Sequence, residues 1–301
     1  MKPFPFLETF LEAAERGTFT AAGRALGLTQ AAVSQRIHQL ETALNTSLFR
    51  RQPGKVVLTD AGRTLYEYAR RIQDLTAEAW AALTGTPGEA RGELVLAASS
   101  VPGQYLLPTT LAAYRKQHPR VEVRVSVTDT DDVLRLVERG DAHLGLVGGQ
   151  GGGSRLEFRK FAGDQLVLVV PAGHRWRRRR KVTVREFLAQ PLIQRERGSG
   201  SRRCLERGLE GVGVTASSLN VVLELGSTEA IKEAVLRGVG LAILSRRAIE
   251  KEVRAGDLRA VEVDGLTLDR DIYLVRDRRR ALPEPANLFL ALVDREAGLP
   301  S

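Results

Sequence analysis

Apolar residues near the start of the chain lie three or four positions apart, as on one face of a helix. They are Phe6, Leu7, Phe10, Leu11 and Ala14. Gly17 follows as a stop signal for this helix. A second short helix is predicted over residues 21–26, with Thr20 as its N-cap and Gly27 in the left-handed conformation at its end.

A third helix is predicted over residues 30–44, with Thr29 as its N-cap. One face is apolar and should pack on the first two helices; it carries Val33, Ile37, Leu40 and Leu44. The opposite face is polar and short-chained; it carries Ala31, Gln35, His38 and Thr42, with Ser34 and Gln39 beside it. Glutamine can bond adenine bidentately, and an alanine methyl suits a thymine methyl. Helix, turn and helix therefore predict a DNA-reading helix-turn-helix, against the alternative of an ordinary solvated face.

Residues 48–58 are typical of two short strands that meet at a Pro-Gly turn. Arg50, Arg51 and Lys55 place cations on this hairpin, next to the predicted recognition helix. We expect them to contact phosphates, which adds affinity and orientation but little sequence information. A wing arginine could also enter a narrow minor groove.

A long helix is predicted over residues 60–83, with Thr59 as its cap. Its apolar residues alternate at spacings of three and four, which forms a coiled-coil seam; they are Leu65, Tyr68, Ile72, Leu75, Ala79 and Ala82. The seam favours dimerisation through a partner helix, because one helix-turn-helix reads only one half-site. The alternative is that the seam packs on the chain's own second domain.

Residues 85–92 have the glycine and proline content of a hinge. Beyond them, apolar strand-like runs alternate with helical stretches up to a final helix after Pro285. This alternation predicts an α/β module with parallel strands, long enough for two lobes. Such modules bind ligands at the carboxyl ends of their strands.

Three strand-to-helix junctions in this module are rich in small hydroxyl residues. They contain Ser99 and Ser100, then Ser199 and Ser201, then Ser227 and Thr228. Free N–H groups at helix N-termini, together with hydroxyls, make anion sites. The sequence therefore predicts a small, anionic ligand in a cleft.

The formal net charge of +9 favours a nucleic acid or another polyanion as partner, although an arginine-rich thermophile surface gives the same balance. The densest basic run is 174–181, which could touch DNA or RNA but is interpreted as a solvated loop. Cys204 is the single cysteine, so no internal disulfide can form, and we interpret it as a structural thiol rather than a redox sensor.

Several classes of protein are disfavoured. No Cys/His cluster has metal-ligand spacing, and we expect no cofactor. No nucleophile–base order, carboxylate pair or phosphate loop supports an enzyme. The start lacks an apolar signal region, and the longest uncharged stretch, 94–114, is broken by prolines and a glycine, so we expect a cytoplasmic protein outside the membrane.

The chain resembles the LysR-type transcriptional regulators. The residues that carry this resemblance are 6–10, 17–22, 26–35, 40–41, 48–51 and 58–62. Residues 99–108 and 195–202 are most similar to the branch that regulates carbon fixation and sulfur metabolism. Asn45 stands where the family has glycine, and asparagine also tolerates the left-handed conformation.

The resemblance implies a winged helix-turn-helix, a linker helix and a two-lobed α/β effector domain similar to type 2 periplasmic binding proteins. The implied segments are a DNA-binding domain at 1–58, a linker helix at 59–84, a hinge at 85–91, and an effector domain at 92–301 whose lobe I is 92–161 with 268–301 and whose lobe II is 162–267. By position, the base- or phosphate-contacting residues would be Thr29, Gln30, Ala31, Ser34, Gln35 and His38, with Arg50, Arg51 and Lys55 in the wing. The cleft residues would be Ser99, Ser100, Thr128, Ser199, Ser227 and Thr228. The implied partners are double-stranded DNA with a dyad-symmetric site, a small-molecule effector, and further copies of the chain in a dimer of dimers.

Two other classes remain as alternatives. A solute-binding protein would share the two-lobed module but not the N-terminal helix-turn-helix. A two-lobed enzyme with a fused DNA-binding domain would need catalytic groups at the cleft, where the sequence supplies mainly hydroxyls and glycines.

Overall fold

The computed structural model describes residues 6–52, 54–84 and 90–296. The chain divides into two compact units, Met1–Thr86 and Pro87–Ser301. Within the described ranges, none of the helices combines the length and the apolar character that crossing a membrane requires.

Unit 1 consists of four helices and one hairpin. Their bounds are α1 Leu7–Arg16, α2 Phe19–Leu26, α3 Gln30–Leu44, β1 Phe49–Gln52, β2 Lys55–Leu58 and α4 Asp60–Thr84. β1 and β2 pair antiparallel. The core between them is apolar and includes Phe10, Val33, Ile37, Leu40 and Phe49. The predicted apolar face of α3 is therefore the face that packs.

The start of α2 differs from the prediction. The helix begins at Phe19, and the Thr18 hydroxyl accepts a hydrogen bond from Ala21 N at 3.1 Å. Thr18 is thus the N-cap, and the prediction of Thr20 in this role was wrong. The reason is that Phe19 is buried in the core and belongs to the first helical turn, so the extended residue is the one before it.

The turn between α2 and α3 depends on a close backbone approach. Leu28 N donates to Gly23 O at 2.8 Å, and a Cβ at Gly23 would lie 2.6 Å from the Leu28 carbonyl oxygen. Only glycine fits there. At the other end of α3, Asn45 has a φ of 49°, so it takes the left-handed conformation expected of it.

The hairpin is tied to the helices by specific hydrogen bonds. Glu41 Oε1, in α3, accepts from Leu48 N at 2.7 Å and from Phe49 N at 3.2 Å. Val56 N donates to Gly17 O at 2.8 Å. The hairpin is therefore fixed to α3 and to the end of α1.

Unit 2 is an α/β structure. Its strands are β3 Gly92–Ser99, β4 Val121–Thr128, β5 Leu144–Val147, β6 Leu156–Pro171, β7 Lys181–Val182, β8 Leu192–Arg195, β9 Val221–Leu225, β10 Leu241–Ser245, β11 Leu258–Val263 and β12 Asp269–Asp277. Its α-helices are α5 Leu107–Gln117, α6 Thr130–Arg139, α7 Val184–Leu188, α8 Gly200–Glu210, α9 Thr228–Leu236, α10 Glu250–Ala255 and α11 Glu284–Glu296. A π-helical turn, Pro102–Leu106, leads into α5.

The strands of unit 2 form a mixed sheet in the order β4-β3-β5-β12-β6-β10-β8-β9. β3 pairs parallel with β4 and β5, and β8 pairs parallel with β9 and β10, as the βα alternation predicts. β6 and β12 instead pair antiparallel with each other and with their other neighbours. The prediction of parallel strands was therefore wrong for β6 and β12, because both run between the lobes rather than within one βαβ repeat.

Two sets of hydrophobic clusters divide unit 2 into lobes. One set draws its residues from 90–161 and 273–293, and we call residues 90–161 and 269–296 lobe I. The other draws its residues from 166–268, and we call residues 162–268 lobe II. β6 passes from lobe I to lobe II and β12 returns, so the two lobes meet at this pair of strands.

Candidate functional sites

The first candidate site is the polar face of α3. The Thr29 hydroxyl accepts from Ala32 N at 3.1 Å and caps the helix. The predicted contact residues are presented to solvent: Thr29, Gln30, Ala31, Gln35 and His38 are exposed, and Ser34 is half-buried. The apolar face of α3 packs in the core, so this polar surface is left to solvent.

The hairpin carries the predicted phosphate contacts beside α3. Arg50 and Lys55 are exposed, and Arg50 lies opposite Val57 in the ladder. The side chain of Arg51 is outside the part of the chain that the structure describes. Two exposed cations thus stand on a hairpin that Glu41 fixes to α3.

The predicted seam on α4 divides into two parts. Leu65 is buried in the core of unit 1, so its side chain faces that core and its assignment to the dimerisation seam was wrong. Tyr68, Ile72 and Leu75 are 56%, 40% and 54% exposed, which is unusual for large apolar side chains at a regular spacing. The side chains of Ala79 and Ala82 are not among those that the structure describes. Most of the predicted hinge at 85–91 also lies outside the described residues.

The second candidate site lies between the lobes of unit 2, where strand ends and helix starts converge. Its polar wall consists of Ser99, Ser100, Thr130, Ser199 and Ser201 with Arg195 and Arg270. The cavity that they enclose is only about 10 Å³, so the lobes are closed on each other. A ligand larger than a water molecule requires them to separate.

Arg195 crosses this cleft from the end of β8. Its Nη2 donates to Ser100 Oγ at 3.1 Å in lobe I, and its Nη1 donates to Thr228 Oγ1 at 3.1 Å in lobe II. Glu196 accepts from Nε and Nη2 at 2.7 Å each and balances the charge. The guanidinium is 5% exposed, so its orientation is fixed by these partners.

Arg270 forms the floor of the cleft from β12. Its Nε donates to Asp164 Oδ2 at 2.8 Å, and its Nη1 donates to Ser201 Oγ at 3.0 Å. Asp164 also accepts from Ser245 Oγ at 2.6 Å. A Cβ at Gly148 would lie 2.7 Å from Arg270 Nη1, so the glycine at the end of β5 makes room for the arginine.

Two buried polar atoms in this wall lack a hydrogen-bond partner among the described residues. They are Thr130 Oγ1 and Arg270 Nη2. Nη2 lies 2.8 Å from Asp164 Oδ2 but without hydrogen-bonding geometry. Ser199, the N-cap of α8, makes no side-chain bond to that helix. Buried polar groups are nearly always satisfied, so these atoms mark a place where a ligand can bond.

Three predicted cleft residues do not reach the cavity wall. Thr128 Oγ1 donates to Asp132 Oδ2 at 3.2 Å, and Ser227 Oγ caps α9 by accepting from Ala230 N at 3.4 Å. Thr228 touches the cleft only through its bond to Arg195. In this structure the three hydroxyls thus bond to neighbouring groups outside the cavity wall, and their contact with an effector stays a prediction.

Sequence reasoning missed three residues of the wall: Thr130, Arg195 and Arg270. Thr130 and Arg195 stand at a helix start and a strand end, a position that would have flagged them. Arg270 had no such signal, since it comes from β12, near the far end of the chain.

Cys204 is buried in lobe II beside Asp269 O. Burial raises the pKa of its thiol, which fits a structural residue. Across the described residues, no group of His, Cys, Asp and Glu could hold a metal ion.

Two known family models match the chain, one over each unit. The family described as "Bacterial regulatory helix-turn-helix protein, lysR family" matches residues 5–63, and "LysR substrate binding domain" matches residues 87–298. The chain therefore belongs to the LysR family of bacterial transcriptional regulators. It is a regulator with an effector-binding domain and not an enzyme, as the sequence predicted.

Two relatives extend the similarity over almost the whole chain. An uncharacterized HTH-type transcriptional regulator of Methanocaldococcus jannaschii is 31% identical over 96% of this chain and 98% of its own length. The RuBisCO operon transcriptional regulator of Allochromatium vinosum is 31% identical over 97% of this chain and 95% of its own. The predicted resemblance to regulators of carbon fixation is thereby confirmed as a similarity.

Solved structures share the fold. A full-length variant of OxyR from Pseudomonas aeruginosa has a TM-score of 0.77 at 15% identity and covers 98% of this chain and 95% of that one. Full-length CbnR complexed with its target DNA has a TM-score of 0.66 at 22% identity and covers 98% of this chain and 99% of that one. The Synechocystis CcmR regulatory domain in complex with 2-PG has a TM-score of 0.63 at 24% identity and covers 70% and 100%.

Proposed function

We propose that this regulator binds a dyad-symmetric site on double-stranded DNA as a homo-oligomer in the cytoplasm, and that a small anionic metabolite in the lobe cleft controls it. The single observation that carries the proposal of a ligand is the cleft wall, where Thr130 Oγ1 and Arg270 Nη2 are buried and have no hydrogen bond to a described residue. Metabolite complexes of the same fold, such as that of CcmR with 2-PG, support a small-molecule effector.

The chemistry of the wall favours an anion. α8 begins at Gly200 beside the cavity, and its N-cap Ser199 makes no side-chain bond to the helix, so the first N–H groups of α8 are available to an anion. α6 begins at Thr130, but the Asp129 carboxylate already caps it by accepting from Asp132 N at 2.8 Å. Asp164 and Glu196 offset the formal charges of the two arginines. Selectivity for an anion therefore rests on the N-terminus of α8 and on the hydroxyl and guanidinium donors of the wall, which suit carboxylates or phosphate esters better than neutral solutes.

The proposal of DNA binding rests on the exposed polar face of α3. Gln35 is central on this face and can bond an adenine edge, while Arg50 and Lys55 on the hairpin meet phosphates. The complex of CbnR with its target DNA supports this assignment by fold.

The oligomer rests on the exposed side chains of Tyr68, Ile72 and Leu75 on α4. They lie three or four positions apart, so a second copy of α4 can cover all of them at once. A pair of recognition helices related by a two-fold axis requires a dyad-symmetric site.

The proposal that an anion binds the cleft is tested by thermal-shift screening of the full chain with carboxylates, phosphate esters and matched uncharged analogues. A ligand of the folded state raises the apparent melting temperature. We expect an anionic compound to do so in the wild type and in the exposed control Arg197→Gln, but much less in Thr130→Val. A compound that stabilises Thr130→Val as much as the wild type would contradict this cleft as its site.

The proposal that α3 reads DNA bases is tested on duplexes that the full chain selects from a random library. Gln35→Ala should lose about 1–3 kcal/mol of specific binding and keep most of its non-specific binding. Gln73→Ala, an exposed glutamine on α4, is the matched control and should bind as the wild type does. Equal affinity of Gln35→Ala and wild type at fixed salt would remove α3 from base recognition.

A further inference from the structure

The loop between β6 and β7, together with the first residue of β7, is the most basic segment of the chain. Residues 174–181, which we call the basic loop, contain six Lys or Arg and no acidic residue, in a chain whose net charge is +9. All six cations are exposed. The proposed regulatory role does not use this loop.

The basic loop is an ordered turn. Trp176 is 2% exposed and packs in the core of lobe II. Arg177 N donates to His174 O at 3.0 Å, Arg179 N donates to Trp176 O at 2.8 Å, and Trp176 N donates to His174 Nδ1 at 3.2 Å. Burial, followed by the charge of Arg175, lowers the pKa of His174 and so favours the neutral ring that accepts this last bond.

Most of the charge on this turn is not neutralised by the protein itself. Arg179 pairs with Glu186, and Lys181 lies 3.6 Å from Glu262 and 3.7 Å from Asp264. Within the described part of the chain, the other four arginines have no carboxylate at ion-pair distance; they are Arg175, Arg177, Arg178 and Arg180. Arg175 instead stacks over the Trp176 ring, with its Cζ 5.3 Å from the centroid.

Several other arginines of unit 2 are instead paired with a carboxylate. Arg237 pairs with Glu233, Arg254 with Glu250, and Arg276 with Glu157. An arginine-rich surface that serves stability has this paired form. Four unpaired guanidiniums within six positions repel one another, and a polyanionic partner removes that repulsion.

We propose that the basic loop is a second DNA-contacting surface, which binds the phosphate backbone of the duplex without reading its sequence. Guanidinium groups match phosphate oxygens bidentately, and arginine makes up five of the six cations. This inference rests on the proposed function in one respect, since it takes DNA to be the partner.

The test uses the full chain and a mixed-sequence duplex of about 60 base pairs, because phosphate binding needs no operator. The variant is Arg177→Gln/Arg178→Gln/Arg180→Gln, which keeps Arg175 on Trp176. The control, Arg237→Gln/Arg254→Gln/Arg276→Gln, loses the same formal charge from paired arginines. Affinity is measured from about 0.05 to 0.3 M salt to obtain the slope of log K against log salt.

We expect the slope of the loop variant to flatten by about 0.9 for each phosphate that the loop no longer neutralises, hence by about 1 to 3 in all, and that of the control to stay close to wild type. Equal slopes in the loop variant and the control would overturn the inference. Any change in salt dependence would then come from the lost net charge and not from the position of the arginines. An unchanged duplex slope, together with weaker retention of the loop variant on polyglutamate, would assign the loop to an acidic protein instead. A wild type that binds no duplex would contradict the proposed function as well, whereas wild-type binding with an unchanged slope contradicts the loop alone.

Discussion

Arg203 Nη1, in α8 of lobe II, lies 2.7 Å from Asp131 Oδ1, in α6 of lobe I. This ion pair joins the lobes beside the cleft. Tyr105 reinforces it from the π-helical turn of lobe I by donating a hydrogen bond to Glu229 in α9 of lobe II. The closed arrangement is therefore stabilised by the protein's own cross-lobe contacts, and a ligand would have to bind one arrangement better than another to shift it.

Removal of the Arg203–Asp131 pair should loosen the lobes without unfolding them. Both side chains are partly exposed, so we expect Arg203→Gln to change closure by less than about 1 kcal/mol, which is up to about fivefold in population. Amide hydrogen exchange should accelerate at the first turns of α6 and α8. The exposed control Arg207→Gln should leave it unchanged; unchanged exchange in Arg203→Gln as well would show that the pair does not hold the lobes.

The buried pair of Arg270 and Asp164 should behave differently. Arg270→Met leaves the Asp164 carboxylate buried and unpaired, so we expect a loss of about 3–5 kcal/mol in the free energy of unfolding. Asp164→Asn/Arg270→Met removes that charge and should be more stable than the single variant. Urea unfolding of both chains provides the comparison, and a single variant at least as stable as the double would contradict the electrostatic account.

The pH dependence of stability should include a contribution from Asp277. Burial alone raises the pKa of this carboxyl, but hydrogen bonds from Arg279 N at 3.0 Å and Arg155 Nη2 at 2.6 Å hold the pKa below its ordinary value. Its stabilisation is therefore present above the unfolded pKa of about 3.9 and is lost as the pH falls through the lower folded pKa.

Asp277→Asn should accordingly cost about 2 kcal/mol at neutral pH, with the difference from wild type shrinking as the pH falls below about 4. Chemical denaturation at several pH values measures this difference. The exposed control Asp257→Asn should show little effect at any pH. A difference that stays constant down to about pH 2 would mean that the Asp277 charge is not responsible.

The exposed seam on α4 leads to a prediction about assembly. Ile72→Asp places a carboxylate where a partner helix should pack, so we expect smaller species in sedimentation velocity. Gln73→Asp adds the same charge at the adjacent exposed position, off the seam, and should sediment as the wild type does. An unchanged assembly in Ile72→Asp would exclude α4 as the interface.

The sequence predicts unit 1 well because its information is local. The cap at Thr29, the left-handed Asn45 and the apolar face of α3 all follow from residues within one helix. The two errors there, Thr20 and Leu65, arise where tertiary packing decides between neighbouring positions: Phe19 and Leu65 are both drawn into the core.

The cleft was harder to predict because its wall is assembled from distant segments. Ser99 and Ser199 could be identified from hydroxyls at strand ends, but Arg270 reaches them from β12, whose antiparallel path no βα alternation predicts. Thr128 and Ser227 have the same local sequence signal as Ser99, but their hydroxyls form hydrogen bonds to Asp132 and to Ala230 N instead. Hydroxyl residues at a strand-to-helix junction are therefore candidates for the cleft wall, and the tertiary structure decides which of them line it.

The central claim is that one chain couples a DNA-binding head to a metabolite cleft. Quantitative footprinting of the full chain on a selected duplex, with and without the anion found by thermal shift, tests it most directly. We predict a dyad-symmetric footprint whose affinity or extent changes with the anion, by about 5- to 150-fold if in affinity, and no such change in Thr130→Val. A footprint without symmetry, or one that a saturating anion leaves unaltered in the wild type, would contradict the account.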